Sequence, residues 1–355
     1  MRFLTDLSLD ELTQALESRT RALAVRRWLF GARAVPESLP PRLMGVSPAF
    51  WSRLREGAPL PAWRLARREV ARDGTTKLAL DLEGAVVETV LIPTRGRSTV
   101  CLSSQAGCTR RCTFCATAAL GFVRHLTAAE MVLQYALAQA EAPPSAPARN
   151  AVFMGMGEPM DNLDQVMAAV DRLLEPGFPC LAEDHLTVST SGVLPGLRRF
   201  LREGRGLLAL SLNGTTDQQR ERLIPHTRVW PIGDLLEALR EDQRRGSGRR
   251  YGIGYVLWAG VNDSDQDANR LVGLLAGLSA HVNLIPHNVY VGSGLEQPTE
   301  PRLRRFQGLV REGGIRCLVR RPRGADIAAA CGQLAGSAQA SLSLRKVSPP
   351  STVRT

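Results

Sequence analysis

The spacing of apolar positions divides the chain into three regimes. From residue 1 to about 65 they recur at helical intervals: 6 to 16 reads as one helix, and RALAVRRWLF at 21 to 30 as a second. A proline-rich break at 36 to 41 then leads to a third helix around Phe50, Trp51 and Leu54. Between Val70 and Val100 the period drops to two, and KLALDLEG, AVVETVLIP and STVCLSS predict three strands, with Glu83 and Gly84 at a hairpin turn. Beyond that, strands and helices alternate. Thr127 and Glu130 form a capping box that starts a helix to about Ala140. After the linker EAPPSAPAR, strands are predicted near 151–154, 186–189, 207–212, 252–257 and 282–285, with helices at 163–174, 232–245 and 265–278.

With the strand entering Cys101, this makes about six strand-helix units. The expected fold is α/β, a parallel sheet curled into part of a TIM-like (βα)6 barrel, with a small N-terminal helical domain and a β-hairpin extension. The expected organisation is a helical, RNA-docking module over 1–68, the β extension over 69–100, the core over 101–336 and a disordered tail over 337–355, small, polar and basic in composition.

Composition narrows the setting. An apolar content of 44% suits a globular protein with an ample core. The N-terminus carries acids where a signal peptide needs a positive start, and no run of eighteen apolar residues exists, so a cytoplasmic protein without a membrane span is expected. The net charge of +11 points to a polyanionic partner, foremost a nucleic acid. Of 45 basic residues 43 are arginine; a GC-rich genome accounts for that preference, though not for the net charge. Residues 1–70 hold twelve Arg against seven acids, and 302–323 hold eight Arg against Glu312, placing excess charge near both ends. The N-terminal arginines also fit a plain helical bundle with a solvated face.

Candidate chemistry concentrates in CLSSQAGCTRRCTFCATAALGF, residues 101–122. Cys108, Cys112 and Cys115 form a C-x3-C-x2-C triplet, with Cys101 seven residues upstream. Three thiolates on one loop can hold three irons of a cubane cluster and leave the fourth iron open. Buried thiols, half of a zinc site with a distant fourth ligand, and a disulfide cluster are the alternatives. The predicted strand ends are rich in Gly and polar residues: MGMGEP at 154–159, STSG at 189–192, SLNG at 211–214 and IPHN at 285–288. Gly155 and Gly157 would let backbone amides approach a ligand, Glu158 could accept from an ammonium, and Ser189, Ser211 and Asn213 could bond hydroxyls or a carboxylate. Glu88, flanked by valines and leucine, is a candidate perturbed carboxyl. No histidine is assigned to a metal, and Cys180 and Cys317 are expected to be buried thiols.

The motifs VETVLIP, CLSSQAGC, CTFCATAALGFVRHLTAAE, MGMGEP, STSGVLP, LIPHN and GADIAAACGQL, in this order and spacing over about residues 15–336, resemble the RlmN and Cfr group of radical SAM ribosomal RNA adenine methyltransferases. The last motif supplies Cys331, more than two hundred residues beyond the triplet. The resemblance implies a radical SAM barrel with one [4Fe-4S] cluster on Cys108, Cys112 and Cys115. It implies S-adenosylmethionine, two per methylation, contacting Gly157, Glu158, Ser189, Ser211, Leu212, Asn213 and Asn288. Cys331 would carry the methyl group as S-methylcysteine, Cys101 would form a transient disulfide with it, and Glu88 would accept the proton, with the Cys101 thiolate competing for that role. Implied partners are 23S rRNA and tRNA, methylated at adenine C2, and an electron donor such as flavodoxin or ferredoxin; the protein would act as a monomer. Methylation at C8 of the same adenine is the near alternative, and a zinc-containing RNA-binding protein without catalysis the distant one. One departure stands out: Ser211-Leu212-Asn213-Gly214 occupies a place where many relatives carry His then Ala, so a step needing an imidazole there is not implied.

Overall fold

The structure is a computed structural model that describes residues 2–31, 35, 38–177, 179, 181–289 and 294–334; Cys180 and the expected disordered tail lie outside the described residues. A short 3-10 turn, Leu4–Asp6, leads to α1 (Leu9–Leu16), whose start is set by Ser8 and Glu11 bonding each other's backbone amides, then α2 (Arg19–Gly31) and α3 (Pro48–Gly57). Leu12, Leu16, Val25, Leu29 and Trp51 bury the apolar faces of these helices against one another. Trp28 meets Trp51 edge-on at 6.1 Å.

Four antiparallel strands follow: β1 (Arg64–Val70), β2 (Thr76–Leu82), β3 (Ala85–Thr94) and β4 (Arg97–Cys101). Glu83 and Gly84 both take positive φ at the β2–β3 turn, as a two-residue hairpin requires. The chain then forms a small separate hairpin from β5 (Gln105–Gly107) and β6 (Phe122–His125), with α4 (Ala116–Ala119) between them. The repeating part runs α5 (Ala128–Ala140), β7 (Ala148–Phe153), α6 (Leu163–Leu174), β8 (Leu186–Thr190), α7 (Leu194–Glu203), β9 (Leu207–Ser211), α8 (Asp217–Leu223), α9 (Ile232–Arg244), β10 (Tyr251–Leu257), α10 (Asp265–Leu275), β11 (Ala280–Pro286), α11 (Glu300–Glu312) and β12 (Arg316–Val319). One ten-stranded sheet in the order β1-β2-β3-β4-β7-β8-β9-β10-β11-β12 results. From β4 to β12 every neighbouring pair is parallel, so the chain alternates as expected of a radical SAM α/β fold, with the loops after each strand gathered at one edge.

Three expectations change. The strand β1 begins at Arg64, so the expected boundary at 68 falls inside it. RLARREV shows no alternation because all its residues except Glu69 are exposed; it is an edge strand lined with arginine. A seventh parallel strand, β12, was not expected, since RCLV is four residues long and buries only Cys317. The helix α10 stops at Leu275 rather than 278, just before Gly277 takes positive φ.

The helical module is joined to α6 by a nearly buried ion pair. Arg26 Nη1 lies 2.7 Å from Glu175 Oε2, and Nη2 donates to the Arg172 carbonyl at 2.8 Å. Glu175 also accepts from the Leu9 amide at 3.1 Å and pairs with Arg172. Removing one partner of a buried pair costs about 3–5 kcal/mol where nothing else compensates. Arg172 remains beside Glu175, so Arg26→Ala is expected to destabilise by about 2–4 kcal/mol, measured by thermal or denaturant unfolding.

Candidate active site at the strand ends

The cysteine triplet lies on the loop between β5 and α4. Gly107 has φ +73°, and a Cβ there would stand 1.9 Å from the Gly121 carbonyl, so the loop's entrance admits only glycine. The Cys108 amide donates to that same carbonyl at 3.0 Å, and the Thr113 amide donates to Leu223 at 3.0 Å. Arg110 crosses the loop: its amide donates to Cys108 Sγ at 3.3 Å, its guanidinium forms a bidentate pair with Asp161, and Trp230 lies 5.6 Å beneath it. Thr109 Oγ1 also donates to Asp161. Asp161 and Arg110 tie the loop to the MGMGEP turn and have no place in the sequence reading; their signal was proximity, Asp161 to MGMGEP and Arg110 to the triplet.

The three thiols are half-buried. Burial pushes Cys108 up to about 12 despite the Arg110 amide on its sulfur, with Cys115 and Glu158 adding to the rise. Cys112 is raised well above its ordinary value by burial, then by Cys115 and Cys108. Three thiolates so close together and so poorly hydrated need a cationic centre to be stable. Among the described residues no three His, Cys, Asp or Glu side chains converge as they would on a single ion. Convergence of that kind belongs to a one-metal site; in a cubane each thiolate meets its own iron. The donor set therefore fits an iron-sulfur cluster.

Cys101 ends β4 and is buried, its thiol raised by burial and next by Cys331. Cys331 is exposed, yet the protein around it raises its thiol, first by excluding water and then through Cys115. The fold thus brings the distant cysteine within electrostatic reach of both Cys101 and Cys115. The segment carrying it is strapped on both sides: the Ala116 amide donates to the Gly332 carbonyl at 2.7 Å, Thr117 Oγ1 to Leu334 at 3.1 Å, and Asn288 Nδ2 to the Cys331 carbonyl at 3.0 Å. Cys317 is buried on β12.

The strand ends converge around these cysteines. Gly157 has φ +103°, and a Cβ there would lie 2.7 Å from the Gln105 side chain. Glu158 is buried; its carboxylate accepts from the Met160 amide at 3.1 Å and from the Ser191 amide and hydroxyl at 2.8 and 2.7 Å. Burial raises its pKa and the Ser191 bonds oppose the rise. Ser189 and Ser211 face each other across β8 and β9 with hydroxyls 3.4 Å apart. Leu212 is buried, its amide donates to the Gly254 carbonyl at 2.9 Å and its carbonyl accepts from Arg220. Asn213 has φ +58°, a region asparagine tolerates, and its Oδ1 accepts from the Val256 amide at 2.9 Å, which leaves Nδ2 for other use. Arg220, also missed in the sequence, is buried beneath these ends and donates to the carbonyls of Ser191, Ser211 and Leu212 at 2.7, 3.1 and 2.7 Å; burial lowers its pKa to about 10.

Glu88 is buried on β3. Its carboxylate is 3.5 Å from Lys77 Nζ, its amide meets Met156 Sδ at 3.3 Å, and its carbonyl accepts from Ser103 Oγ at 2.6 Å. Ser103 Oγ in turn accepts from the Met156 amide at 2.9 Å, which ties Glu88 to the MGMGEP turn. None of the five histidines joins the site as part of a multi-ligand group: His125 bonds Gln105 at 3.2 Å, and His287 packs 5.9 Å from Trp258. Among the described residues no helix is long and apolar enough to cross a membrane.

Comparison with known proteins agrees with this geometry. Residues 102–272 match the model of the radical SAM superfamily. The chain is 41% identical over 330 residues to the dual-specificity RNA methyltransferase RlmN of Anaeromyxobacter dehalogenans, covering 90% of this chain and 87% of that protein. It is 39% identical over 341 residues to RlmN of Geobacter sulfurreducens, covering 94% and 92%. The crystal structure of a radical SAM methyltransferase from Sphaerobacter thermophilus superposes with a TM-score of 0.86 at 38% identity, over 94% of this chain and 99% of that one. The chain therefore belongs to the RlmN family of dual-specificity RNA methyltransferases within the radical SAM superfamily, and its cofactors are a [4Fe-4S] cluster and S-adenosylmethionine.

Proposed function

We propose that the enzyme methylates C2 of an adenine in the peptidyl-transferase centre of 23S rRNA and of the adenine following the anticodon in tRNAs, through an S-methylcysteine on Cys331. The observation that carries this reading is the company kept by Cys331: its segment is bonded to the helix that follows the triplet, through the Ala116 amide on the Gly332 carbonyl, and its thiol lies within electrostatic reach of Cys101 and Cys115. Adenine C2 lies between two ring nitrogens and is electron-poor, so it cannot attack a sulfonium methyl directly. A thiolate can, and Cys331 is the exposed thiol of the site.

Cys108, Cys112 and Cys115 hold the cluster, and S-adenosylmethionine sits against Gly157, Glu158, Ser189, Ser211, Leu212, Asn213 and Asn288. Bound there, the cofactors supply the methyl group and a radical able to take one hydrogen from it; two S-adenosylmethionines serve each methylation. Cys331 holds the resulting carbon against C2 of the base. Glu88 takes the C2 proton. The carbon bonds to C2 as that proton leaves; the Cys101 thiolate then bonds the Cys331 sulfur, the bond between Cys331 and the transferred carbon breaks, a proton returned to that carbon completes the methyl group, and the one electron left over would pass back to the cluster held by the triplet. The disulfide must be reduced before the next cycle, and an electron donor such as flavodoxin or ferredoxin serves the cluster. Glu158, already bonded to the Ser191 amide and hydroxyl, retains lone pairs for the ammonium group of the cofactor.

The helical module over 1–68 docks RNA in this reading, and the protein acts as a monomer in the cytoplasm. Support comes from charge and stacking: the half-buried Arg21 and the exposed Arg53 lie 4.5 and 4.8 Å from the Phe50 ring centre, a cationic pair on an aromatic plate.

Protein prepared without oxygen is expected to be brown and to contain about four irons per chain; a colourless zinc protein that binds RNA without cleaving S-adenosylmethionine would refute the enzyme reading. Cys331→Ala is expected to abolish methylation while leaving the iron content unchanged. Under turnover Cys101→Ala is expected to accumulate a covalent protein-RNA adduct visible on a denaturing gel. Mass spectrometry of rRNA and tRNA from cells with and without the protein is expected to find the methyl at C2, and a methyl at C8 with C2 bare would overturn that assignment.

A further inference from the structure

Among the described residues Lys77 is the single lysine in a chain with 43 arginines, and it is 1% exposed. Strand register accounts for its neighbours. Glu69 of β1 stands directly opposite it, and Val90 of β3 opposes it from the other side, so Glu88 is its diagonal neighbour two residues away on the same face. Its ammonium lies 3.2 Å from Glu69 Oε2 and 3.5 Å from Glu88 Oε1. It also donates to the Ile327 carbonyl at 2.6 Å and reaches the Ala328 carbonyl at 3.4 Å. Those carbonyls form the turn that delivers Cys331, and Ala328 is held there at φ +51°, a conformation that costs an alanine about 1 kcal/mol or more.

We propose that Lys77 is a positioning residue of the methyl-transfer site, joining the Glu88 carboxylate to the turn that presents Cys331 so that proton acceptor and methyl carrier keep a fixed relation. The inference rests on the roles given above to Glu88 and Cys331. Four oxygens gathered around one nitrogen suit a compact ammonium and not a planar guanidinium, whose donors are spread over a fork. That accounts for a lysine in a chain that otherwise uses arginine. Other ties hold the same segment: Asn288 and α4 bond it beside Cys331, and the Arg72 amide donates to Asp326 Oδ2 at 3.1 Å, but Lys77 is the tie that also reaches Glu88. Asp73 anchors the segment further upstream, accepting from the Gly324 amide at 3.1 Å and pairing with Arg323 at 2.8 Å.

The test uses the full-length, cluster-loaded enzyme as Lys77→Met, Lys77→Arg and Glu88→Gln, and as the double variant Lys77→Met with Glu88→Gln. In the two Lys77 single variants iron content and cleavage of S-adenosylmethionine without RNA are expected to match the parent. RNA methylation is expected to lose about tenfold or more in kcat while KM for RNA moves less than about threefold. Lys77→Arg, which keeps the charge and serves as the second variant should Lys77→Met not fold, is expected to share the loss. The double variant is expected to be no slower than the slower single one, because both changes break one connection. A kcat within about twofold of the parent in Lys77→Met, full activity in Lys77→Arg, or losses that multiply in the double variant would overturn the proposal. Failure of the underlying mechanism is separable, since it would appear as methylation surviving in Cys331→Ala whatever the result at Lys77.

Discussion

The 2.7 Å hydrogen bond from the Ala116 amide to the Gly332 carbonyl is where the two halves of the apparatus meet. One end belongs to the helix that follows the cysteine triplet, the other to a segment that enters after the last strand of the sheet. In the proposed reaction a thiol that has to reach both a cofactor and a buried partner cysteine can be neither rigidly built into a strand nor left on a free tail. The fold resolves this by crossing the mouth of the strand ends with a short segment and bonding it at several points: to α4, to Asn288, to Asp73 and to Lys77. The bonds nearest Cys331 use backbone groups of the segment, the carbonyls of Cys331, Gly332 and Leu334, so they leave the Cys331 side chain available.

Charge is handled by the same economy of backbone oxygens. Arg220 is buried and, among the described residues, no carboxylate pairs with it; three strand-end carbonyls accept its hydrogen bonds instead. The effect is mechanical as well as electrostatic, because one guanidinium fixes the ends of β8 and β9 relative to each other, where the paired serines stand. Arg110 does the corresponding task for the cysteine loop through Asp161. Arginine holds the rigid parts, where a planar fork matches fixed acceptors.

Much of this was legible in the sequence wherever a signal was local. The capping box at Thr127 and Glu130, the hairpin at Glu83 and Gly84, and the helix at 163–174 appear in the structure as the residues require. Elements that lacked an apolar pattern were not legible: β1 shows arginine to solvent over most of its length, and β12 is too short for a period to appear. The candidate site divides along the same line. Cysteines and Gly-rich strand ends carry their chemistry in residue type and spacing. Arg110, Asp161, Arg220 and Lys77 act through partners that only the folded chain brings to them; proximity to the motifs marks Arg110 and Asp161, and no local pattern marks Arg220 or Lys77. Glu88 is intermediate, since its apolar flanks hinted at burial while its link to Met156 and Ser103 exists only in the folded chain.

Asn213 shows why the departure at the third strand end is structurally tolerable. Its backbone sits in the left-handed region, where asparagine is among the few side chains accepted without a large penalty. Its side-chain oxygen bonds the Val256 amide, and its carbonyl accepts from Asn262 Nδ2 at 3.0 Å, so the residue knits β9 to β10 at the point where the strands open toward the site. A role that consists of holding this turn requires an acceptor that reaches the neighbouring strand and a backbone at ease with positive φ. It does not require a group that titrates, and the proposed proton transfer is accordingly assigned elsewhere, to Glu88 on the opposite flank of the sheet.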